Sequence, residues 1–306
     1  MATNDHRFVL VIRKTRLDEQ ILRYNTISQT RFYLTQMGID FDDYLIEHKT
    51  YHLALDTTIA CLKKFGRVQL VDRHFLPNFM FGEDDIVFTL GQDGLAANTL
   101  KYLDQQRLVG LNPDPKRWEG CLLPFTPADL SKVLNEIIQQ KRPIREVSMA
   151  NATLNNGQTL HAVNDFFIGQ QTHASARYTL KFGGKQEYQS SSGILVSTGL
   201  GSTGWLSSVV AGSDRLNKGQ SGIALQDMKW DSRYLYFVVR EPYPYGGCGT
   251  TLTFGKINPS KPLGIESGMP GNGVIFSDGI ENDFLEFNSG MSVTITLAAK
   301  RGRMVA

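Results

Sequence analysis

Asp93 is the residue from which a chemical reading of this chain starts. It stands in Asp85-Ile-Val-Phe-Thr-Leu-Gly-Gln-Asp-Gly-Leu-Ala-Ala-Asn-Thr99, where a short apolar run from Ile86 to Leu90 precedes Gly91-Gln92-Asp93-Gly94. The run predicts a buried strand, Gly91 and Gly94 bracket a tight turn, and Leu95 to Leu103 predicts a helix. A strand that feeds a helix through glycines aims backbone N–H groups at whatever lies before the helix, which favours phosphate. A carboxylate there repels phosphate unless it serves a metal or a proton transfer. Asp93 therefore reads as the base for a hydroxyl, as an orienter of Mg²⁺, or as both. The same four residues also make an ordinary turn, since Asp-Gly is a common turn pair.

Three further stretches carry polar groups in suggestive places. Asn164-Asp165 precedes an apolar run, where an amide could meet a base edge and a carboxylate a ribose diol, or where the pair could simply open a strand. Ser190 to Ser208 holds a strand stub at Ile194–Val196, then Gly199, Gly201 and Gly204 among hydroxyls. Ser202, Thr203 and Ser208 offer those hydroxyls, and Trp205 could wall a planar base. No Gly-Lys-Ser/Thr follows, so this is not a P-loop; it reads either as a flexible loop or, since so many glycines rarely follow a buried strand without need, as one whose backbone something approaches closely. Asp278-Gly279 reads as a β-turn before it reads as a second ligand-facing acid. Arg240-Glu241-Pro242 sits at a strand end. The six histidines are scattered with no ligand spacing, and no Ser–His–Asp order can be defended.

The elements that must position these residues divide in two. Strands are predicted at Arg7–Ile12, Val68–Val71, Ile86–Leu90 and Leu108–Leu111, and helices over Leu17–Met37, Thr50–Phe65 and Ala128–Gln140, the last with Thr126 as cap and Pro127 in its first turn. Alternation of this kind gives a mostly parallel sheet covered on both faces. Beyond Arg142-Pro143 the texture is β-rich: Ile144–Leu154, Tyr178–Phe182, Tyr234–Val239, Thr250–Ile257, Val274–Phe276, Phe284–Phe287 and Ser292–Leu297, with hairpin turns at Asn155-Asn156-Gly157 and Gly183-Gly184. The expectation is an α/β chain: an N-terminal α/β domain over 1–142 and a C-terminal β-rich domain over 143–306, whose last strand could return to the first.

The bulk numbers exclude several classes. The chain has 306 residues, with 32 Lys and Arg against 30 Asp and Glu. No basic block interleaves with aromatics, which argues against nucleic acid as a partner. No apolar run approaches about 18 residues, so no membrane span is expected. The first residues lack a secretory apolar core and an Arg- and Ser-rich transit pattern. Three widely spaced cysteines, Cys61, Cys121 and Cys248, form neither a disulfide framework nor a zinc motif. A cytoplasmic, reduced, soluble protein is the expectation.

In their order along the chain, these motifs resemble those of the NAD kinases. The matching residues are Gly91-Gln92-Asp93-Gly94, Asn164-Asp165, Ser197-Thr198-Gly199-Leu200-Gly201-Ser202-Thr203-Gly204-Trp205 and Asp278-Gly279. Gly110–Cys121, Ser191-Ser192-Gly193, Arg240-Glu241-Pro242 and Phe284–Gly290 look most like the mitochondrial-type branch, and the match runs from about Arg7 to the C-terminus. The resemblance implies an NAD kinase fold and transfer of the γ-phosphoryl of ATP, with Mg²⁺ or another divalent cation, to the 2′-hydroxyl of the adenosine ribose of NAD. Asp93 would then be the base, with Gly91 and Gly94 near phosphate. Asn164 and Asp165 would hold adenosine, while Ser202, Thr203, Gly204, Trp205 and Ser208 would line the adenine pocket. A homo-oligomer is implied as well.

Four positions depart from the pattern. Gln92 replaces a glycine, Leu95 a threonine, Asp165 a glutamate and Trp205 a tyrosine; Ser192, an aspartate in bacterial members, agrees with the mitochondrial-type branch. Two other readings follow from these departures: a nucleotide-binding sensor without turnover, and a kinase of the same architecture acting on a sugar or lipid alcohol. A dehydrogenase is disfavoured, because no Gly-x-Gly-x-x-Gly follows the first strand.

Overall fold

The computed structural model describes residues 6–216, 225–244 and 246–306, apart from the side chain of Asn282, and the leader reading of residues 1–5 lies outside them. The chain is mixed α/β, with one sheet rich in parallel pairings and a separate antiparallel sheet. It divides into two compact units, Met1–Arg145 with Arg303–Ala306, and Glu146–Gly302.

The first unit is built from β1 (Arg7–Ile12), α1 (Arg16–Tyr24), α2 (Ile27–Gln36), α3 (Phe41–Leu62), β2 (Arg67–Asp72), β3 (Ile86–Leu90), α4 (Asp93–Leu100), β4 (Arg107–Leu111) and α5 (Leu130–Ile138). The strands run parallel in the order β2-β1-β3-β4, and Arg303 and Met304 at the chain's end pair in parallel with Arg107 and Leu108. All five residues of β3 are buried, as the apolar run predicts for a central strand covered on both faces. Phe8, Leu10, Phe88, Leu90, Val109 and Leu111 form one core with Tyr51 and Leu62 of α3 and Leu130, Val133, Leu134 and Ile137 of α5.

Several helices differ from the sequence reading. The span Leu17–Met37 is two helices, because Asn25 takes a left-handed φ of 66° and Thr26 caps a new start by accepting from the Gln29 N–H. The helix expected from Thr50 begins at Phe41, capped by Asp40, and ends at Leu62. Its first half carries Phe41, Tyr44 and Leu45 at helical spacing, packed with Leu17 and Leu34, and buries Glu47 one turn on. The extension places His48 and His52 four residues apart on one helix, a spacing that the scattered-histidine reading missed. Thr126 does not cap α5: its N–H and hydroxyl both donate to Asp129, in a turn that precedes the helix.

The second unit starts within β5 (Ile144–Leu154) and continues through β6 (Thr159–Ala162), β7 (Asp165–Gln170), β8 (Ala176–Phe182), β9 (Lys185–Ser191) and β10 (Ile194–Ser197). After α6 (Trp205–Leu216) come β11 (Leu235–Val239), β12 (Phe254–Ile257), β13 (Leu263–Ser267), β14 (Gly273–Ser277), β15 (Ile280–Glu286) and β16 (Ser292–Val305). One antiparallel sheet runs β12-β11-β10-β7-β14-β15; the other joins β16, β13, β8 and β9, with β5 beside β16 and β6. Their inner faces share a core that includes Phe166, Ile168, Tyr178, Leu180, Phe237, Ile265 and Ile275. The two hairpins form where expected, with Gly157, Gly183 and Gly184 at positive φ. The helix α6, which the glycine- and serine-rich sequence did not suggest, buries Leu206 and Val210 against Leu195. No helix among the described residues is long and apolar enough to cross a membrane.

Candidate functional site

Asp93 is the first residue of α4 and follows directly from the C-terminal end of β3, the end at which open parallel sheets bind ligands. Gln92 is extended, with φ −114° and ψ 164°, and its side chain makes no cap hydrogen bond, so the leading N–H groups of α4 are left for an anion. The Asp93 carboxylate is fixed from a third segment. Its Oδ1 accepts the N–H of Leu122 at 2.8 Å and its Oδ2 that of Cys121 at 3.2 Å.

That contact depends on a glycine in β4. A Cβ on Gly110 would come within 1.9 Å of the Leu122 carbonyl oxygen, so only glycine lets the 120–123 segment lie on the strand. Gly120, at φ 66°, turns the chain there, and the Asn112 amide donates to the Trp118 carbonyl at 3.0 Å to hold the approach. The segment from Trp118 to Pro124 thus supplies the N–H groups that aim Asp93.

The two glycines of the motif serve different ends. A Cβ on Gly91 would meet Leu95 Cδ2 at 2.9 Å, so Gly91 and the buried Leu95 are packed against each other. Leu95 is therefore a core residue, which accounts for a leucine where the resembling pattern has threonine. Gly94 is exposed with nothing within 4 Å of its Cβ position. It is the one motif glycine with room beside it for a ligand.

In the second unit, Asn164 and Asp165 stand at the start of β7, and their backbone is held by Asp278. The carboxylate of Asp278 accepts N–H groups from Val163 at 3.0 Å, Asn164 at 2.6 Å and Asp165 at 3.3 Å. Asp278 itself has φ 55° and Gly279 φ 70°, so the pair is a tight turn between β14 and β15. Both readings of Asp278 meet here: it is a turn residue whose carboxylate serves the chain's own backbone. Burial, and then the charge of Asp278, push the Asp165 carboxyl up to about 7.

The glycine-rich loop closes on the same corner. Thr198 donates its hydroxyl to the Val163 carbonyl and its N–H to the Asn164 carbonyl, at 2.5 and 2.9 Å. A Cβ on Gly201 would lie 2.1 Å from the Asn164 carbonyl oxygen, and one on Gly199 would lie 1.7 Å from that of Lys229. What comes close at these two glycines is the chain itself. Gly204 differs: its nearest neighbour would be the Gly201 oxygen at 3.4 Å, an ordinary contact. Ser202 is buried and spends its hydroxyl on the Gly199 carbonyl at 2.8 Å. Thr203, Gly204, Trp205 and Ser208 are exposed, and Ser208 reaches the Gly204 carbonyl at 3.5 Å.

Trp205 opens α6 and stacks on Phe167 with centroids 5.8 Å apart and planes at 16°; Phe167 stacks in turn near Phe276 at 6.3 Å. The Arg240 guanidinium lies 5.1 Å from the Trp205 ring centre. These rings, with Asp165, Gln170 and Glu281, line a cavity of about 290 Å³. A larger cavity of about 910 Å³ runs on from Trp205 and Ser208 past Val209 and Arg240 to Phe254. Sequence reasoning missed Phe167 and Phe276. Strand alternation could have found Phe167, since Phe166 faces the core and its neighbour must face outward.

The two units thus carry separate sets of predicted residues: Gly91, Asp93 and Gly94 in the first, and Asn164, Asp165, Ser202, Thr203, Gly204, Trp205 and Ser208 in the second. For Mg²⁺, Asp93 fits the usual protein share, one or two carboxylates beside substrate phosphates, because each of its oxygens accepts a single N–H and keeps a lone pair.

No family model and no curated protein matches this chain. Solved structures do. An NAD kinase from Archaeoglobus fulgidus in complex with ATP superposes with a TM-score of 0.57 at 13% identity, over 98% of this chain and 93% of that one. Yeast NADH kinase complexed with NADH superposes with a TM-score of 0.59 at 14% identity, over 99% of this chain and 84% of that one.

Proposed function

We propose that this chain, which has the fold of the NAD kinases, is itself one: an enzyme that transfers the γ-phosphoryl of ATP to the 2′-hydroxyl of the adenosine ribose of NAD, giving NADP. The observation that carries the reading is Asp93, a carboxylate at the open N-terminus of α4, held by two backbone N–H groups. The order of the matched motifs and a fold shared with an ATP-bound NAD kinase and an NADH-bound NADH kinase add their weight.

Each residue has a role in this reading. Asp93 accepts a hydrogen bond from the 2′-hydroxyl and takes its proton as the bond to phosphorus forms. The leading N–H groups of α4, beside open Gly94, meet phosphate oxygens. Asp93 would also hold Mg²⁺ beside the phosphates, and the ion would supply compensation for the charge of the transferring group. Asp165 accepts from a ribose hydroxyl, Asn164 meets the base, and Trp205 with Phe167 gives it a flat wall. Such a division suits phosphoryl transfer, whose loose transition state calls for positioning and charge compensation more than covalent help.

The test is a product assay. Purified protein given NAD, ATP and Mg²⁺ should form NADP, and omission of any one of the three should abolish it. Absence of NADP with all three present, together with measurable NAD binding, would support the sensor reading instead.

A further inference from the structure

His48 and His52 project from one face of α3 towards Asp18 on α1, all within the first unit. Their donor atoms converge. His48 Nδ1 lies 3.4 Å from Asp18 Oδ1, His52 Nε2 lies 3.6 Å from Asp18 Oδ2, and the three ligand atoms all fall within 4.8 Å of one another. We propose that Asp18, His48 and His52 form a binding site for a divalent transition-metal ion of the zinc class, tying α1 to α3.

The donor set suits such an ion. Two imidazoles and one carboxylate, with water in the remaining position, are the ligands that zinc takes where it keeps an open site. A tetrahedral ion with bonds of about 2.0–2.1 Å sets its ligands roughly 3.3 Å apart, close to the two nitrogen–oxygen separations here. Two histidines at i and i+4 on a helix are stacked one turn apart, so one ion can reach both. Their rings stand 4.3 Å apart at 58°, and the side chains of all three residues are partly open to solvent.

Hydrogen bonds within the chain account for Asp18, the capping-box residue of α1, and for His48, which meets the Thr15 hydroxyl, but not for His52 Nε2. His52 Nε2 is buried and has no hydrogen-bond partner among the described residues, although part of its ring is exposed. A buried, unpaired nitrogen costs free energy unless something occupies its lone pair or its proton. Around the site, Thr15 supplies the supporting contacts: its N–H and hydroxyl both donate to Asp18 Oδ2 at 2.8 Å. That bonding fixes the carboxylate as a second shell of contacts does around a metal ligand. The Thr15 hydroxyl also lies 3.0 Å from His48 Nδ1, a contact that an ion would replace.

The test uses the full chain, freed of any affinity His tag and stripped of metal, titrated near neutral pH with Zn²⁺ in a calorimeter. The expected result is one Zn²⁺ per chain for the parent and an affinity roughly tenfold weaker or more for His52→Ala, with Zn²⁺ raising the melting temperature of the parent by more than that of the variant. His48→Ala gives a second reading should His52→Ala misfold. Cobalt substitution separates the site from the three cysteines, since Co²⁺ at this site shows no sulfur charge-transfer band. Failure of the parent to bind Zn²⁺, equal affinity in parent and folded variants, or a sulfur band from the bound Co²⁺ would overturn the proposal.

Discussion

Asp278 accepts the backbone N–H of Asp165 at 3.3 Å, and burial together with the Asp278 charge holds the Asp165 proton up to about 7 against an ordinary 3.8. Stability should register this. A carboxyl whose folded pKa is raised contributes stability that is complete below the unfolded pKa and lost as pH rises through the folded one. Asp165→Asn should therefore match the parent near pH 4 and exceed it above pH 7, by roughly 2–4 kcal/mol for a shift of this size. Thermal melts of both proteins across this range check it; parallel curves would mean that Asp165 is an ordinary carboxylate. In catalysis the same group accepts from a hydroxyl best when ionised, so the parent's KM for NAD should fall as pH rises through about 7.

Gly94 separates folding from phosphate contact. Its Cβ position meets nothing within 4 Å, and it lies in the first turn of α4. Gly94→Ala should fold as well as the parent or better, by up to about 1 kcal/mol, since alanine is the better helix former. The added methyl occupies the space where a phosphate would approach, so the KM for ATP should rise severalfold. An unchanged KM would remove Gly94 from the phosphate site.

Gly201 should behave in the opposite way. A Cβ there would lie 2.1 Å from the Asn164 carbonyl oxygen, a rigid backbone atom. Gly201→Ala should cost on the order of 1–3 kcal/mol through forced backbone shifts. Chemical denaturation measures this directly, and a variant as stable as the parent would show that the loop can part from β7 without strain.

Trp205 is partly exposed at the start of α6 and stacks on Phe167. If it walls the base of NAD, Trp205→Ala should raise the KM for NAD by about tenfold, from a stacking loss of roughly 1–3 kcal/mol, and change kcat much less. A fall in kcat alone would place Trp205 elsewhere in the reaction.

Legibility in the sequence varied with the physical source of each signal. The strands β1 and β3 are legible to the residue because their apolar runs are short, dense and sharply bounded, and the mixed β5 because Pro143 and the Asn155-Asn156-Gly157 turn bound it. The strand β9 is not, since Lys-Gln-Glu-Tyr-Gln-Ser-Ser carries almost no apolar signal and owes its place to pairing with β8. The first half of α3 does carry a stripe, Phe41, Tyr44 and Leu45 at helical spacing, but Glu47, buried and paired with Arg13 at 3.0 Å and also with Arg16, interrupts it. That gap hid His48, one turn before His52, which lay within the expected helix.

The site shows the same limits. Asp93 stood out because a carboxylate in a glycine turn conflicts with a plain phosphate cradle. Its restraint by Cys121 and Leu122 was unreadable, since backbone N–H groups leave no mark on residue type. Glycines in the 197–204 loop announced close approach, yet residue type cannot tell a ligand from the chain's own backbone. At Gly199 and Gly201 it was the backbone.

The central claim rests on Asp93, and one comparison tests it most directly: the rate of NADP formation from NAD, ATP and Mg²⁺ by the parent and by Asp93→Asn. The substitution keeps the shape, and an acceptor oxygen for the Leu122 N–H, while removing the base. The account predicts a folded variant that still binds NAD and whose kcat falls by about 10²- to 10⁴-fold. A variant that turns over as fast as the parent would contradict it.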